Sequence, residues 1–161
     1  MAAAGDNVTR RVLHQLEPRP SGCVLSVVDA EHRRVVAKRD VVGEVVYVLH
    51  QTASERAMSL EKVYSRAAQL HEIHELIATA DAAEPGGRAD EVRYVAFFEV
   101  LVGGCLRVGD TVFVNDDAIG ELAGFDLTHS PNHLNLVVRT ARPRSGEELG
   151  IGLGAKVRFS S

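Results

Sequence analysis

Two short stretches of the chain carry the side chains that do acid–base chemistry. His71-Glu72-Ile73-His74-Glu75 sets two histidines three residues apart among carboxylates. Asp126-Leu127-Thr128-His129-Ser130-Pro131-Asn132-His133-Leu134-Asn135 gathers an acid, two histidines, two hydroxyls and two amides into one turn. Imidazole changes charge near neutral pH, and a neighbouring carboxylate tunes it for proton transfer. A third candidate is Glu99, enclosed by Phe97-Phe98 and Val100-Leu101-Val102. Desolvation in such a setting raises a carboxyl pKa and suits it to general acid work, whereas a solvent-facing Glu99 pairs with Arg93 on the same strand face.

These residues define the expected site. His74, Glu99, Asp126, His129 and His133 are the expected acids and bases, and Asn135, Tyr64, Tyr47 and His71 the expected substrate contacts. Each has a plainer reading. His74 falls mid-face on an apolar helix stripe, as either a hydrogen-bonded core residue or a pocket group. Ser130, Pro131 and Asn132 are ordinary turn formers, and aromatics at Tyr47 and Tyr64 spacing are commonly core. Asp126 and His133 are expected to face solvent, where replacement costs little stability. No metal is expected, because the metalloprotease order needs histidines four apart with the glutamate between them. A metalloprotein using His71, His74, His129 and His133 requires the helix and the turn to meet in space.

The elements that position these groups follow from periodicity. Thr52-Ala53-Ser54-Glu55 matches a capping box, and apolar residues recur at helical spacing through Leu60, Val63, Tyr64, Ala67, Leu70, Ile73 and Ile77. This predicts one long amphipathic helix over about 53–80. Pro85-Gly86-Gly87 ends it, within a flexible Gly-rich connection at 82–90. Strands are expected at 23–28, 34–38, 44–50, 92–102, 111–115, 119–126, 134–140 and 156–159, with 8–16 open to either helix or strand. The fold class is therefore α+β: a small, mostly antiparallel β-barrel or curled sheet carrying the helix. Gly150-Ile151-Gly152-Leu153-Gly154 has no helix after it and reads as a turn rather than a dinucleotide loop.

From Gly104 onward the pattern Leu106-Arg107-Val108-Gly109-Asp110, Val112, Val114, Ile119-Gly120, His133-Leu134-Asn135-Leu136 and Gly154-Ala155-Lys156-Val157-Arg158-Phe159 resembles the sorbitol-specific IIA component of the bacterial phosphotransferase system. The resemblance covers the last third of the chain and implies a small β-barrel. It places that family's phosphoacceptor histidine on the strand before the glycine turn. The comparable stretch here, Tyr94 to Val100, contains no histidine, so the resemblance carries the barrel and leaves phosphotransfer behind.

Composition bounds the rest. The chain has 161 residues, 45% hydrophobic and 25% charged, with a formal net charge of -4. That fits a single domain, 1–161, with residues 1–7 read as disordered. A mildly acidic chain is a poor match for nucleic acid or anionic membrane. No signal segment or spanning stretch is apparent, so a cytoplasmic location is expected, and Cys23 and Cys105 read as buried thiols. No cofactor motif is found. The leading functional reading is a cofactor-independent acid–base enzyme on a small-molecule substrate, by isomerisation, dehydration, or condensation and cyclisation of the imine or Pictet–Spengler type. The second is a non-catalytic ligand- or protein-binding module, with a homodimer as a possible assembly.

Overall fold

A computed structural model describes residues 37–161, and the expectations for strands at 23–28 and 34–36, for residues 1–16 and for Cys23 lie outside them. Twelve strands and one short helix occur among these residues: β1 (Val41–Val48), β2 (Thr52–Ala53), β3 (Met58–Ser59), β4 (Ser65–Ala68), β5 (Ile73–Thr79), β6 (Arg88–Ala89), β7 (Val92–Val102), β8 (Gly104–Arg107), β9 (Thr111–Val114), β10 (Asp117–Asp126), β11 (Asn135–Arg139), α1 (Gly146–Leu149) and β12 (Lys156–Ser160). The main sheet runs β1-β12-β9-β10-β11-β5-β7-β2, and an added β1–β7 pairing curls it back on itself. Its pairings are antiparallel except β11 with β5, which is parallel. No described helix is long and apolar enough to cross a membrane.

The long helix expected over about 53–80 does not exist, so the fold is nearly all β rather than α+β. Residues 52–79 instead form β2, β3, β4 and β5. Glu55 and Ala57 take positive φ (71° and 56°), which an α-helix cannot accommodate. Nor does the apolar stripe form one buried face: Val63, Leu70 and Ile73 are exposed. β5 explains the misreading. It pairs with β7 on one side and β11 on the other and is covered on both faces, so it lacks the period-two alternation of a half-exposed strand.

Two apolar clusters account for that double coverage. Leu76, Phe98, Phe125, Leu136, Val138, Val157 and Phe159 fill the concave side of the sheet. Ile77, Ala123 and Val137 project from the opposite face and pack under Met58, Leu60, Ala83 and Ala89. Alternation thus sends Leu136 and Val138 to one cluster and Val137 to the other. The 82–90 segment, expected as a flexible connection, is tied to the second cluster. Gly86 N–H donates to the Glu61 carbonyl (3.1 Å), Gly87 O accepts from Leu60 N–H (3.0 Å), and Ala83 and Ala89 are fully buried.

Local chemistry sets the turns. Asn115 and Asp116, both at positive φ, make the two-residue connection between β9 and β10, where Val114 faces Asp117. A reciprocal capping box starts α1: Ser145 N–H donates to Glu148 Oε2 (2.8 Å), and Glu148 N–H donates to Ser145 Oγ (3.3 Å). Gly150 closes α1 in the left-handed region at φ 67°. Cys105, expected to be buried, is exposed.

Candidate active site

A cavity of about 700 Å³ opens where β4, the start of β5 and the 127–134 loop converge, a size suited to a small organic ligand. His71, Glu72, His74, Phe97, Arg66 and His133 contribute to its wall. The two histidine-bearing stretches therefore meet in space. β4–β5 and the β10–β11 connection bring them together through the parallel β5–β11 pairing, in which Glu75 lies opposite Asn135.

His71 sits in the turn between β4 and β5 at φ 69°, a left-handed conformation that a histidine adopts at a cost. Its backbone N–H is fixed to the Val100 carbonyl at 2.8 Å. Its ring Nδ1 lies 2.6 Å from Glu99 Oε1. Glu99 stands on the outward face of β7 beside Phe97, so the partner foreseen for it, Arg93, is replaced by His71. A carboxylate on Nδ1 holds the imidazole in one orientation and leaves Nε2 toward solvent or ligand.

His74 is the second residue of β5 and is 4% exposed. Its Nδ1 accepts from Leu134 N–H (3.3 Å) and its Nε2 contacts Glu72 Oε2 (3.2 Å). Both nitrogens are thus engaged by the neutral ring, which stands edge-on to Phe98. Burial pushes its pKa down, against the pull of Glu72. His74 ties β5 to the 127–134 loop, which matches the core alternative better than the role of a free acid or base.

The 127–134 loop is compact by its own hydrogen bonds. Ser130 N–H reaches Leu127 O (2.9 Å), and both Asn132 N–H (2.9 Å) and His133 N–H (3.3 Å) reach His129 O. These bonds stack the His129 and His133 rings, with centroids 4.9 Å apart. Phe97 meets His133 edge-on at 5.0 Å. Burial, then the charges of His129 and His74, lower the His133 pKa. Glu75, on the same side of the sheet, is buried and its pKa is raised by that burial, with Arg56 opposing and Asp126 adding to the rise.

Asp126 is not solvent-facing as expected: it is 2% exposed. Its carboxylate accepts from Asn135 Nδ2 (2.6 Å) and Thr128 Oγ1 (2.8 Å), which fastens the base of the loop. Asn135, expected to touch substrate, is fully buried in that brace. Tyr47 lies one ring away from the cavity, stacked on Phe97 at 6.2 Å. Tyr64 is elsewhere, lining a separate hollow with Ala83, Glu84 and Pro85.

Sequence reasoning overlooked three contributors. Glu75 and Glu72 were in view within His71–Glu75, but the helical reading gave neither a role in the site. Arg66 carried no signal at all, yet its buried Nε has no hydrogen-bond partner among the described residues. A buried unpartnered donor on a cavity wall is suited to an acceptor on a ligand.

No curated protein and no solved structure matches the chain. A family model described as a family of unknown function, DUF6917, matches residues 35–160, a span that takes in the whole curled sheet and every residue of the cavity wall. The chain belongs to that family of unknown function, DUF6917.

Proposed function

We propose that the protein is an enzyme that moves a proton on a small organic anion seated in the β4–β5 cavity. The observation that carries the reading is the His71–Glu99 couple, 2.6 Å apart on the wall of a ligand-sized cavity. Glu99 orients the ring, and His71 removes a proton from one ligand atom and returns it to another. Isomerisation and dehydration both begin with such a step. The left-handed backbone at His71 supports the assignment, since strain of this kind persists where the surroundings impose it and clusters at functional positions. Arg66 supports the charge of the ligand, because its buried Nε lacks an acceptor within the described residues. Phe97 supplies an apolar face beside it.

Titration of the full chain with a panel of small 2-oxo and 2-hydroxy carboxylic acids, followed by amide NMR shifts, tests this reading. At least one acid should perturb amides of the turn at 69–72 and of the 127–134 loop, and Arg66→Ala should weaken that binding at least 10-fold, about 1.4 kcal/mol. Binding of none of the panel, or binding indifferent to Arg66, sinks the anion cavity. Tight binding without chemistry moves the protein to the second reading, a ligand-binding module.

A further inference from the structure

We infer that Glu75, His129 and His133 form a binding site for a divalent transition metal ion. One donor atom from each residue lies within 4.8 Å of the other two. Two imidazoles and one carboxylate are a donor set used for catalytic zinc and for non-haem iron, and three protein ligands leave coordination positions open. Metal–ligand bonds of about 2.0–2.2 Å put tetrahedral donors roughly 3.3–3.6 Å apart, so the set has only to contract. The 3.7 Å gap between His133 Nε2 and Glu75 Oε2 is already close to that spacing.

Within the described residues no hydrogen bond engages these donors, and His133 Nε2 is buried. The Glu75 side chain is 9% exposed, and 3.7 Å is too long for a hydrogen bond to His133. A buried carboxylate and a buried ring nitrogen that face each other across such a gap are each costly alone and are both satisfied by one cation between them. The supporting shell is also present. Asn132 Nδ2 lies 3.2 Å from His133 Nδ1, and turning that amide over would put its Oδ1 there to accept the Nδ1 proton that metal binding at Nε2 requires. Asp126 braces the base of the loop that carries both histidines. Because His133 also lines the cavity, a metal here sits at the cavity's edge, where an open position can take a ligand oxygen. The inference stands on donor geometry alone, and it holds whether or not His71 transfers a proton.

The experiment is titration of the chelator-treated full chain with zinc chloride by calorimetry, and with cobalt chloride by visible absorption. One ion per chain is expected, with cobalt bands of low-symmetry nitrogen–oxygen coordination. His129→Ala changes an exposed side chain, so its fold is secure. It should lower zinc affinity at least about 100-fold, beyond the roughly 10–100-fold lost with an outer-shell partner. Glu75→Gln should do the same, and Cys105→Ser should change nothing. Zinc binding that is absent in the wild type, or that survives His129→Ala and Glu75→Gln undiminished, overturns the site.

Discussion

Replacing Asp126 by alanine removes the acceptor that fastens the base of the 127–134 loop. Two hydrogen bonds end on this buried carboxylate, from Asn135 Nδ2 at 2.6 Å and Thr128 Oγ1 at 2.8 Å. Hydrogen bonds to a charged group contribute about 1.5–3 kcal/mol each, and part of the loss is recovered when the exposed Thr128 turns to water. Asn135 has no such recourse: it is fully buried and its Oδ1 already lacks a partner among the described residues. Asp126→Ala should therefore cost roughly 2–4 kcal/mol, which lowers Tm by roughly 4–16 °C in a chain of this size. Asp126→Asn behaves differently. With the Asn135 amide turned over, its free Oδ1 accepts from the new side-chain nitrogen, and the cost should stay below about 1 kcal/mol. Urea unfolding followed by circular dichroism measures both. An alanine variant within about 0.5 kcal/mol of wild type, the range of ordinary surface changes, would refute the brace. So would an asparagine variant as damaged as the alanine one.

Four further outcomes are expected. Lys38 Nζ and Asp110 Oδ2 form a buried ion pair at 3.0 Å, and because burial outweighs the attraction at Asp110, replacing both partners by Lys38→Met with Asp110→Asn should be neutral or stabilising by up to about 1–4 kcal/mol; a double variant less stable than wild type by more than ~1 kcal/mol would contradict this. Burial raises the Asp110 pKa above its ordinary 3.8, against the pull of Lys38 and the Arg107 N–H. An acid raised in the folded state adds stability below its unfolded pKa and loses it as pH climbs through the folded value, so wild type should gain on Asp110→Asn between pH 7 and 4 in parallel urea series. His71→Gly relieves the left-handed histidine and should leave stability unchanged or raise it by up to ~1 kcal/mol while proton transfer is lost; a clear loss of stability would make His71 a structural residue. A Cβ at Gly146 would lie 2.0 Å from the Val95 carbonyl oxygen, whereas one at Gly152 meets nothing within 4 Å among the described residues. Gly146→Ala should thus cost at least ~1–3 kcal/mol and Gly152→Ala less than about 0.5 kcal/mol, as read by thermal melts.

The strands after Asp90, β8 excepted, were legible because glycine, asparagine and proline punctuate them. β7 is Val92–Val102 as the residues predict, and β9, β10, β11 and β12 differ from their expected bounds by one or two residues. β5 was illegible for the opposite reason. A strand covered on both faces shows no alternation, and Ile73, Ile77 and their neighbours then fall by chance at helical spacing. The capping-box pattern misled in the same way, since Thr52 to Glu55 has it without a helix while Ser145 to Glu148 has it and caps one. Local patterns propose an element, and long-range pairing decides it. Half of the site was visible as residue types. His71, His74 and His133 do share a cavity, and Glu99 reaches it through His71. Their roles depended on tertiary neighbours, such as the Leu134 N–H on His74 and the Asn135 amide on Asp126, which no spacing rule reveals.

The central claim is that His71, held by Glu99, transfers a proton on a ligand in this cavity. Deuterium incorporation from D2O into the best-binding acid of the panel, followed by proton NMR, tests it most directly. Wild-type protein should label one carbon-bound position, and His71→Gly should slow the labelling by roughly 10²–10⁴, the range for loss of a general acid or base. Glu99→Gln should slow it too, at unchanged ligand affinity. Labelling that proceeds at the wild-type rate in His71→Gly would contradict the account.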